Sequence, residues 1–223
     1  MIEQATEGPR SKTPLIFVVG GAIALALVAG LSRGYFVKES RPETADAKLQ
    51  IALQAFRAGN DATAITLLTP LANEGNAKAQ YWLADIYDDD DPGVKPDRTK
   101  AQVLLEKSAA QGFAPAERRL GQLDLRGTAT LQDFGKAQSW LHKAATAGDA
   151  RAQEHLGHIY ALGLGVPQDI SQAYGWYENA AVHGDGLAER MRDDLLKRMS
   201  PAEIDKGEQI AKEISASIKP AKS

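Results

Sequence analysis

The central part of the chain repeats itself. Glycine recurs at positions 75, 112, 148 and 184, which are 37, 36 and 36 residues apart, and the segments between these glycines carry similar side chains at matching positions. The matching sets are Leu83, Leu120 and Leu156; Asp97, Asp133 and Asp169; Ala101, Ala137 and Ala173; and Ala109, Ala145 and Ala181. A unit of this length cannot bury its apolar face alone, so neighbouring units must stack on one another. The repeat therefore predicts a solenoid.

Each unit is predicted to form two helices. The first begins near Ala77, Ala114 or Ala150 and ends where a loop glycine such as Gly127 or Gly163 can take the left-handed conformation. The three matching aspartates then stand where they can cap the second helix. Only 6% of the residues are aromatic while alanine is abundant, which favours closely spaced helices over strands. We expect an all-α fold.

The repeat also predicts how the chain divides. An N-terminal tail covers residues 1–13, a transmembrane helix 14–36, a linker 37–44, the solenoid 45–217 and a C-terminal tail 218–223. Full repeats cover about 75–111, 112–147 and 148–183, and less regular helices on either side are predicted to cap the stack. Ser200, Pro201 and Glu203 supply a capping box for the last helix.

The third unit carries a recognisable motif. It reads A-x-A-Q-x-x-L-G-x-x-Y-x-x-G-x-G-V and then D-x-x-x-A-x-x-W-x-x-x-A-A-x-x-G, from Ala150 to Gly184. This pattern resembles the Sel-one-like repeat, a relative of the tetratricopeptide repeat. The first two units depart from it, for example with Leu104 at the tryptophan position. The resemblance implies a right-handed α-solenoid, a scaffold, assembly or signalling role, and first helices that line a concave groove.

The variable positions of the first helices lie on one face, because they are spaced three and four residues apart. The resemblance implies that this face contacts a partner, and Trp, Tyr and Arg often dominate interface energies. The predicted partner-binding groove consists of Tyr81, Trp82, Asp85, Arg118, Arg119, Gln122, Glu154, His155, His158 and Arg190, and Lys78, Pro115, Arg151, Met191 and Asp194 lie on the same face. The alternative is that Tyr81 and Trp82 pack on the opening helix pair while the arginines are solvated.

The N-terminal segment is predicted to cross a membrane. Pro14 to Leu31 contains 18 residues without a charge, which would rise about 27 Å as a helix. A cleaved signal peptide is the alternative, but this apolar run is longer than usual for one. The basic residues Arg10 and Lys12 favour an inner-membrane, single-pass protein with a periplasmic body. The small residues Ala22, Ala26, Gly30 and Gly34 form a ridge through which two such helices could make a homodimer.

Charge and residue usage argue against several function classes. Five of the 26 basic and three of the 29 acidic residues precede residue 42, which leaves 21 basic and 26 acidic residues on the body and argues against nucleic-acid binding. Cysteine is absent. His155 and His158 lack a third metal ligand at suitable spacing, and neither a cofactor motif nor a catalytic constellation is evident. A non-enzymatic chain without cofactor or metal is expected.

The sequence therefore predicts a membrane-anchored adaptor that presents a concave helical groove to a partner protein or peptide in the cell envelope. One alternative is an accessory or assembly subunit of a larger membrane complex. A second alternative, an envelope enzyme acting on cell-wall or lactam substrates, draws on cysteine-rich members of related repeat families, whereas this chain has no cysteine.

Overall fold

Ten helices follow one another through the described part of the computed structural model, which comprises residues 17–19, 22–24, 44–89, 94–127 and 132–218. Residues 1–41 and 42–223 form two separate units. In the second unit the helices are α1 Ala45–Arg57, α2 Asp61–Asn73, α3 Ala77–Asp88, α4 Arg98–Ala110, α5 Ala114–Arg126, α6 Phe134–Thr146, α7 Ala150–Leu162, α8 Ile170–Val182, α9 Gly186–Leu196 and α10 Pro201–Ser217. The predicted all-α solenoid of helix pairs is confirmed.

The helix ends follow the predicted local chemistry. The Oδ1 atoms of Asp97, Asp133 and Asp169 accept hydrogen bonds of 2.9–3.0 Å from the backbone N–H groups three residues later, at the starts of α4, α6 and α8. Gly127 and Gly163 end α5 and α7 with φ values of 67° and 71°, which glycine adopts without steric cost. The predicted capping box is present at the start of α10.

Consecutive helices pair and stack in chain order, so each repeat buries its apolar face against its neighbours. The aligned leucines Leu83, Leu120 and Leu156 are buried between the helices. Glutamine side chains of the first and third repeats form hydrogen bonds to the helix pair that precedes each repeat. Gln80 Nε2 donates to Ala72 O, and Gln153 Nε2 donates to Ala145 O, both at 3.0 Å. Each of these carbonyl groups also accepts a bond from the backbone N–H of the glycine three residues later, so one oxygen takes part in both a helix end and a contact between repeats.

The last helix leaves the regular stacking pattern and packs closely along α8. Asn179 Nδ2 donates to Ala211 O and Ser171 Oγ donates to Glu203 O, each at 2.9 Å, so the two helices run parallel. A Cβ atom at Gly175 would lie 2.6 Å from Ile210 Cγ2, which shows how close the approach is. The matching positions on α4 and α6 are exposed, with Val103 and Ser139 in place of the glycine. We call this exposed side of the second helices the outer face; α10 covers it on α8.

Of the N-terminal unit, the structure describes two short strands, β1 Phe17–Val19 and β2 Ala22–Ala24, which pair in antiparallel fashion. The transmembrane helix predicted over 14–36 is therefore not confirmed. An apolar run fits a strand as well as a helix by its pattern alone, which is why the sequence did not separate the two. The rest of that segment lies outside the described residues, including Ala26, Gly30 and Gly34 of the predicted dimer ridge. None of the helices in the described ranges combines the length and the apolar sequence that a membrane span requires.

Candidate functional site

The predicted groove residues lie on four first helices. Helix α3 carries Tyr81, Trp82 and Asp85; α5 carries Arg118, Arg119 and Gln122; α7 carries Glu154, His155 and His158; and α9 carries Arg190. We call this set, with the exposed Lys78 and Arg151 beside it, the first-helix face. Contacts between repeats connect several of its members.

Two half-buried aromatic side chains begin the first-helix face. The ring of Trp82 lies 5.3 Å from that of Phe56 on α1, and the ring of Tyr81 lies 5.4 Å from that of Phe113, which precedes α5. Burial and the nearby Asp85 carboxylate raise the pKa of Tyr81, although Arg118 opposes this shift. Trp82 thus packs on the opening helix pair, whereas Tyr81 packs toward the next repeat.

The two arginines of α5 bind aspartates that lie outside the predicted set. Arg119 Nη2 lies 2.6 Å from Asp88 Oδ2 at the end of α3, and Arg118 Nε lies 3.1 Å from Asp149 Oδ2 at the start of α7. Only 13% of the Arg118 side chain and 12% of the Asp149 side chain are exposed. These arginines join successive repeats and are not merely solvated, since each holds a carboxylate of a neighbouring unit.

A polar chain continues from α5 into α7. Gln122 Nε2 donates to His155 Nε2 at 2.6 Å, so the ring proton of His155 resides on Nδ1, 3.1 Å from Glu154 Oε2. Burial and the nearby Arg118 and His158 lower the pKa of His155 to about 4. Burial and Asp185 raise the pKa of Glu154 to about 7. His155 is therefore neutral at physiological pH, and its close contact with Glu154 is not an ion pair.

One pair of positions recurs at each junction between repeats. The fifth residue of a first helix faces the residue that precedes the next first helix. At the first junction the pair is aromatic, Tyr81 with Phe113, and at the second it is ionic, Arg118 with Asp149. At the third junction the same positions hold Glu154 and Asp185, whose charge raises the pKa of Glu154. The first two pairs attract, whereas the third places two carboxyl groups together.

Three surface cavities are lined in part by the first-helix face. A cavity of about 380 Å³ includes Arg119 and Asp88, one of about 490 Å³ includes Glu154 and Asp185, and one of about 640 Å³ includes His158. Within the described ranges, no group of three or more His, Cys, Asp or Glu side chains could hold a metal ion. The face can therefore offer charged and hydrogen-bonding groups to a ligand, with recesses between them.

The family model for the Sel1 repeat matches residues 77–113, 114–149 and 150–185 of the chain. A Sel1 repeat protein from Oxalobacter formigenes of known structure is 32% identical, with a TM-score of 0.54, and the match covers 58% of this chain and 97% of that one. The chain belongs to the Sel1 repeat family. Sel1 repeats indicate a protein–protein interaction scaffold, typically a non-enzymatic one that binds protein partners.

A second Sel1-type structure shares the fold. It is a protective antigen of uropathogenic Escherichia coli, 24% identical with a TM-score of 0.50, and the match covers 79% of this chain. The chain spans 46% of that antigen's length. No curated protein matches the sequence significantly. The comparisons therefore establish the family and the fold.

Sequence reasoning missed the acidic partners of the first-helix face. Asp149 and Asp185 directly precede first helices and cap them, and Asp88 ends α3. The sequence shows that these residues occupy equivalent positions of successive repeats, since Asp149 and Asp185 are 36 residues apart, as are Arg118 and Glu154. Aligning the helix caps with the variable positions would have indicated the pairing.

Proposed function

We propose that this Sel1 repeat chain is a scaffold that binds a partner protein or peptide along its first-helix face. The observation that carries the proposal is the continuity of that face. Residues from α3, α5 and α7 are linked across repeats by ring contacts, ion pairs and hydrogen bonds, and a cavity lined by Gln122, Glu154 and His155 opens among them.

The inter-repeat bonds support binding because they fix side chains before a partner arrives. Arg118, Arg119 and Gln122 are each held by a residue of another unit, so little of their conformational freedom remains to be lost on association. Preordered side chains lower the entropic cost of binding. Arginine and aromatic side chains are also the ones that most often contribute strongly to interfaces.

The proposal includes attachment to the cell envelope through the N-terminal segment. Its support is the uncharged stretch of 18 residues from Pro14 to Leu31. Alkaline carbonate extraction of cell membranes tests this part, since a chain with a retained anchor stays with the lipid. Release of the full chain into the soluble fraction would contradict the anchor and leave the scaffold proposal standing. Reporter fusions at both termini would give the orientation of the body.

Site-directed photo-crosslinking in intact cells tests the binding face. A photo-reactive amino acid is placed at Lys78 or Arg190, which are exposed on the first-helix face. Matched controls carry it at Val103 or Ser139, which are exposed on the outer face of α4 and α6. The proposal expects the same crosslinked protein from both first-helix positions and none from the controls. Equal crosslinking from the two faces would contradict it.

The same experiment addresses the alternative of an accessory subunit. A crosslinked partner that also co-purifies at fixed stoichiometry in mild detergent favours a permanent membrane complex. A partner that dissociates as salt is raised favours an adaptor, because exposed charged contacts are screened by ions.

A further inference from the structure

We infer that the junction between α7 and α9 is a binding site for a cationic side chain, arginine or lysine, supplied by the partner. The site is formed by Glu154 and Asp185. This inference rests on the proposed function and specifies it, because it names the chemistry that the partner must bring.

The three repeat junctions differ in the charge that faces the residue before the next first helix. At the second junction a guanidinium, Arg118, occupies the position that faces the capping aspartate Asp149. One repeat later the cation is replaced by Glu154, while the aspartate is kept as Asp185. A cation therefore lies against the capping aspartate at the second junction, whereas an acidic residue takes its place at the third. A partner's cation would restore the charge balance there.

Glu154 lies in a buried environment that compensates its charge poorly. The residue is 8% exposed, and among the described residues its one close polar contact is Nδ1 of the neutral His155, at 3.1 Å. A carboxylate removed from water costs free energy unless a charge or several hydrogen bonds compensate it. Burial and Asp185 accordingly raise the pKa of Glu154 to about 7. A carboxyl group in this state gains more from an incoming cation than a solvated one does.

A cavity lies in front of the two carboxyl groups. Glu154 and Asp185 line the cavity of about 490 Å³ together with Gln122, His155 and the turn before α9. The backbone N–H groups of Leu187 and Ala188 donate to Asp185 Oδ1, so that oxygen is fixed in place. Arg151 is also part of the lining but is exposed, and the structure gives it no ion pair with either carboxyl group.

An entering guanidinium or ammonium group would form charge-assisted hydrogen bonds with the two carboxylates. Below pH 7 it would also displace the proton that Glu154 carries in the free protein. The charged and titratable groups around Glu154 are His155 and Arg151 on α7, Tyr177 on α8, Asp185 before α9 and, on α5, Arg118 beside Gln122. Since Glu154 loses its proton on binding, binding should release protons in slightly acidic buffer.

The test uses the full chain and short random peptides. Peptides are selected against the immobilised protein, and the best binder is titrated by calorimetry. We expect it to contain an essential arginine or lysine, whose replacement by citrulline or norleucine weakens binding at least about tenfold.

The same replacement in the peptide should have little effect on binding to the protein variants Glu154→Gln or Asp185→Asn. Asparagine caps helices as well as aspartate does, so Asp185→Asn keeps α9 intact. Glu189→Gln, an exposed glutamate of α9, is the matched control and should bind as the wild type does.

Proton release gives a second readout. Calorimetry at pH 6 in two buffers of different ionisation enthalpy should show release by the wild type that Glu154→Gln abolishes. Nα-acetyl-arginine methylamide, followed by NMR at Gly184, Gly186 and Leu187, provides a probe if no peptide is selected.

The failure of this inference differs from that of the proposed function. Peptides that bind the first-helix face without an essential cation, or that bind Glu154→Gln as tightly, would overturn the cation site and leave the scaffold function intact. If neither peptide nor arginine derivative binds, the cation site is overturned, and the crosslinking experiment above decides the fate of the scaffold proposal separately.

Discussion

Arg118 Nε donates a hydrogen bond to Asp149 Oδ2 across 3.1 Å, and this ion pair joins α5 to the start of α7. Both side chains are nearly nine-tenths buried. Asp149 also accepts a backbone hydrogen bond from Ala152 as the cap of α7, so one carboxylate serves both a helix and a repeat junction. Removing one member of such a pair leaves the other charge without compensation in a poorly solvated place.

We expect Arg118→Met and Asp149→Asn each to lower the free energy of unfolding by about 2–3 kcal/mol. The double variant should lose less than the sum, with a coupling energy of about 1–2 kcal/mol, because the first substitution already removes the pair. Urea denaturation of all four proteins measures the cycle. Lys136→Met is the control, since its ion pair with Asp133 is exposed and should be worth under about 0.5 kcal/mol. Strict additivity would show that the two side chains stabilise the fold independently.

Gly157 allows α7 to lie against the ring of Tyr177. A Cβ atom at this position would lie 2.5 Å from Tyr177 Cδ1, inside van der Waals contact, while Tyr177 is 2% exposed. We therefore expect Gly157→Ala to destabilise the protein by about 1–3 kcal/mol through overpacking. Gly186→Ala, with no atom within 4 Å of the added Cβ, should be neutral or slightly stabilising. Denaturant melts that give the same loss for both would contradict the close-packing explanation.

Asn179 on α8 forms a side-chain hydrogen bond to the last helix, α10. Its Nδ2 atom donates to Ala211 O on α10 and to Gly175 O, and the residue is 4% exposed. We expect Asn179→Ala to cost about 1–3 kcal/mol, because the two buried side-chain hydrogen bonds and the packing of the amide group are lost. Hydrogen exchange should accelerate in α10 more than in α3 to α6. Lys107→Ala, at the matching exposed position of α4, should change stability by less than about 0.5 kcal/mol. Unchanged exchange in α10 would mean that its apolar contacts alone hold it.

Glu154 should make stability depend on pH. Its folded pKa of about 7 lies above the ordinary value of 4.5, so between these values the folded state binds more protons than the unfolded state. The contribution of Glu154 to the free energy of unfolding is fully present below pH 4.5 and is lost as the pH rises through 7. Glu154→Gln should therefore gain stability over the wild type as the pH rises, by on the order of 3 kcal/mol in total.

Urea melts of wild type and Glu154→Gln between pH 4.5 and pH 8 measure this difference. His155 contributes in the opposite sense, since its pKa is lowered to about 4. The glutamine amide oxygen of Glu154→Gln can still accept a hydrogen bond from His155 Nδ1, so this contribution should be similar in the two proteins. A constant difference across the range would show that Glu154 has an ordinary pKa in the folded protein.

The repeat made most of the fold predictable. Leu83, Leu120 and Leu156 lie at one repeat position and are all buried, and the aligned aspartates cap the helices that they were predicted to cap. Such features depend on local spacing, which a single sequence displays. The position of α10 was harder to predict. Gly175 and Gly207 allow α8 and α10 to approach closely, but the sequence alone does not show that these two helices are neighbours.

The candidate site was predictable in position and not in chemistry. The sequence assigned Arg118, Glu154 and His155 to first helices, where they lie in the structure, but whether they form a face that binds a partner stays a prediction. Their partners come from other repeats, and Asp149 reaches Arg118 across 31 positions in the chain. The N-terminal segment marks another limit, because an apolar run carries no periodicity that separates strand from helix.

The sequence by itself determined a helix-pair repeat, its register and the residues that end each helix. The helix ends depend on hydrogen bonds between residues within about one helical turn of each other. The tertiary structure decided which side chains meet across the junctions. Only stacking reveals that equivalent positions hold an aromatic pair, then an ion pair, then the two carboxyl groups of Glu154 and Asp185. Electrostatic complementarity depends on distance in space, and distance in space is set by how the repeats pack.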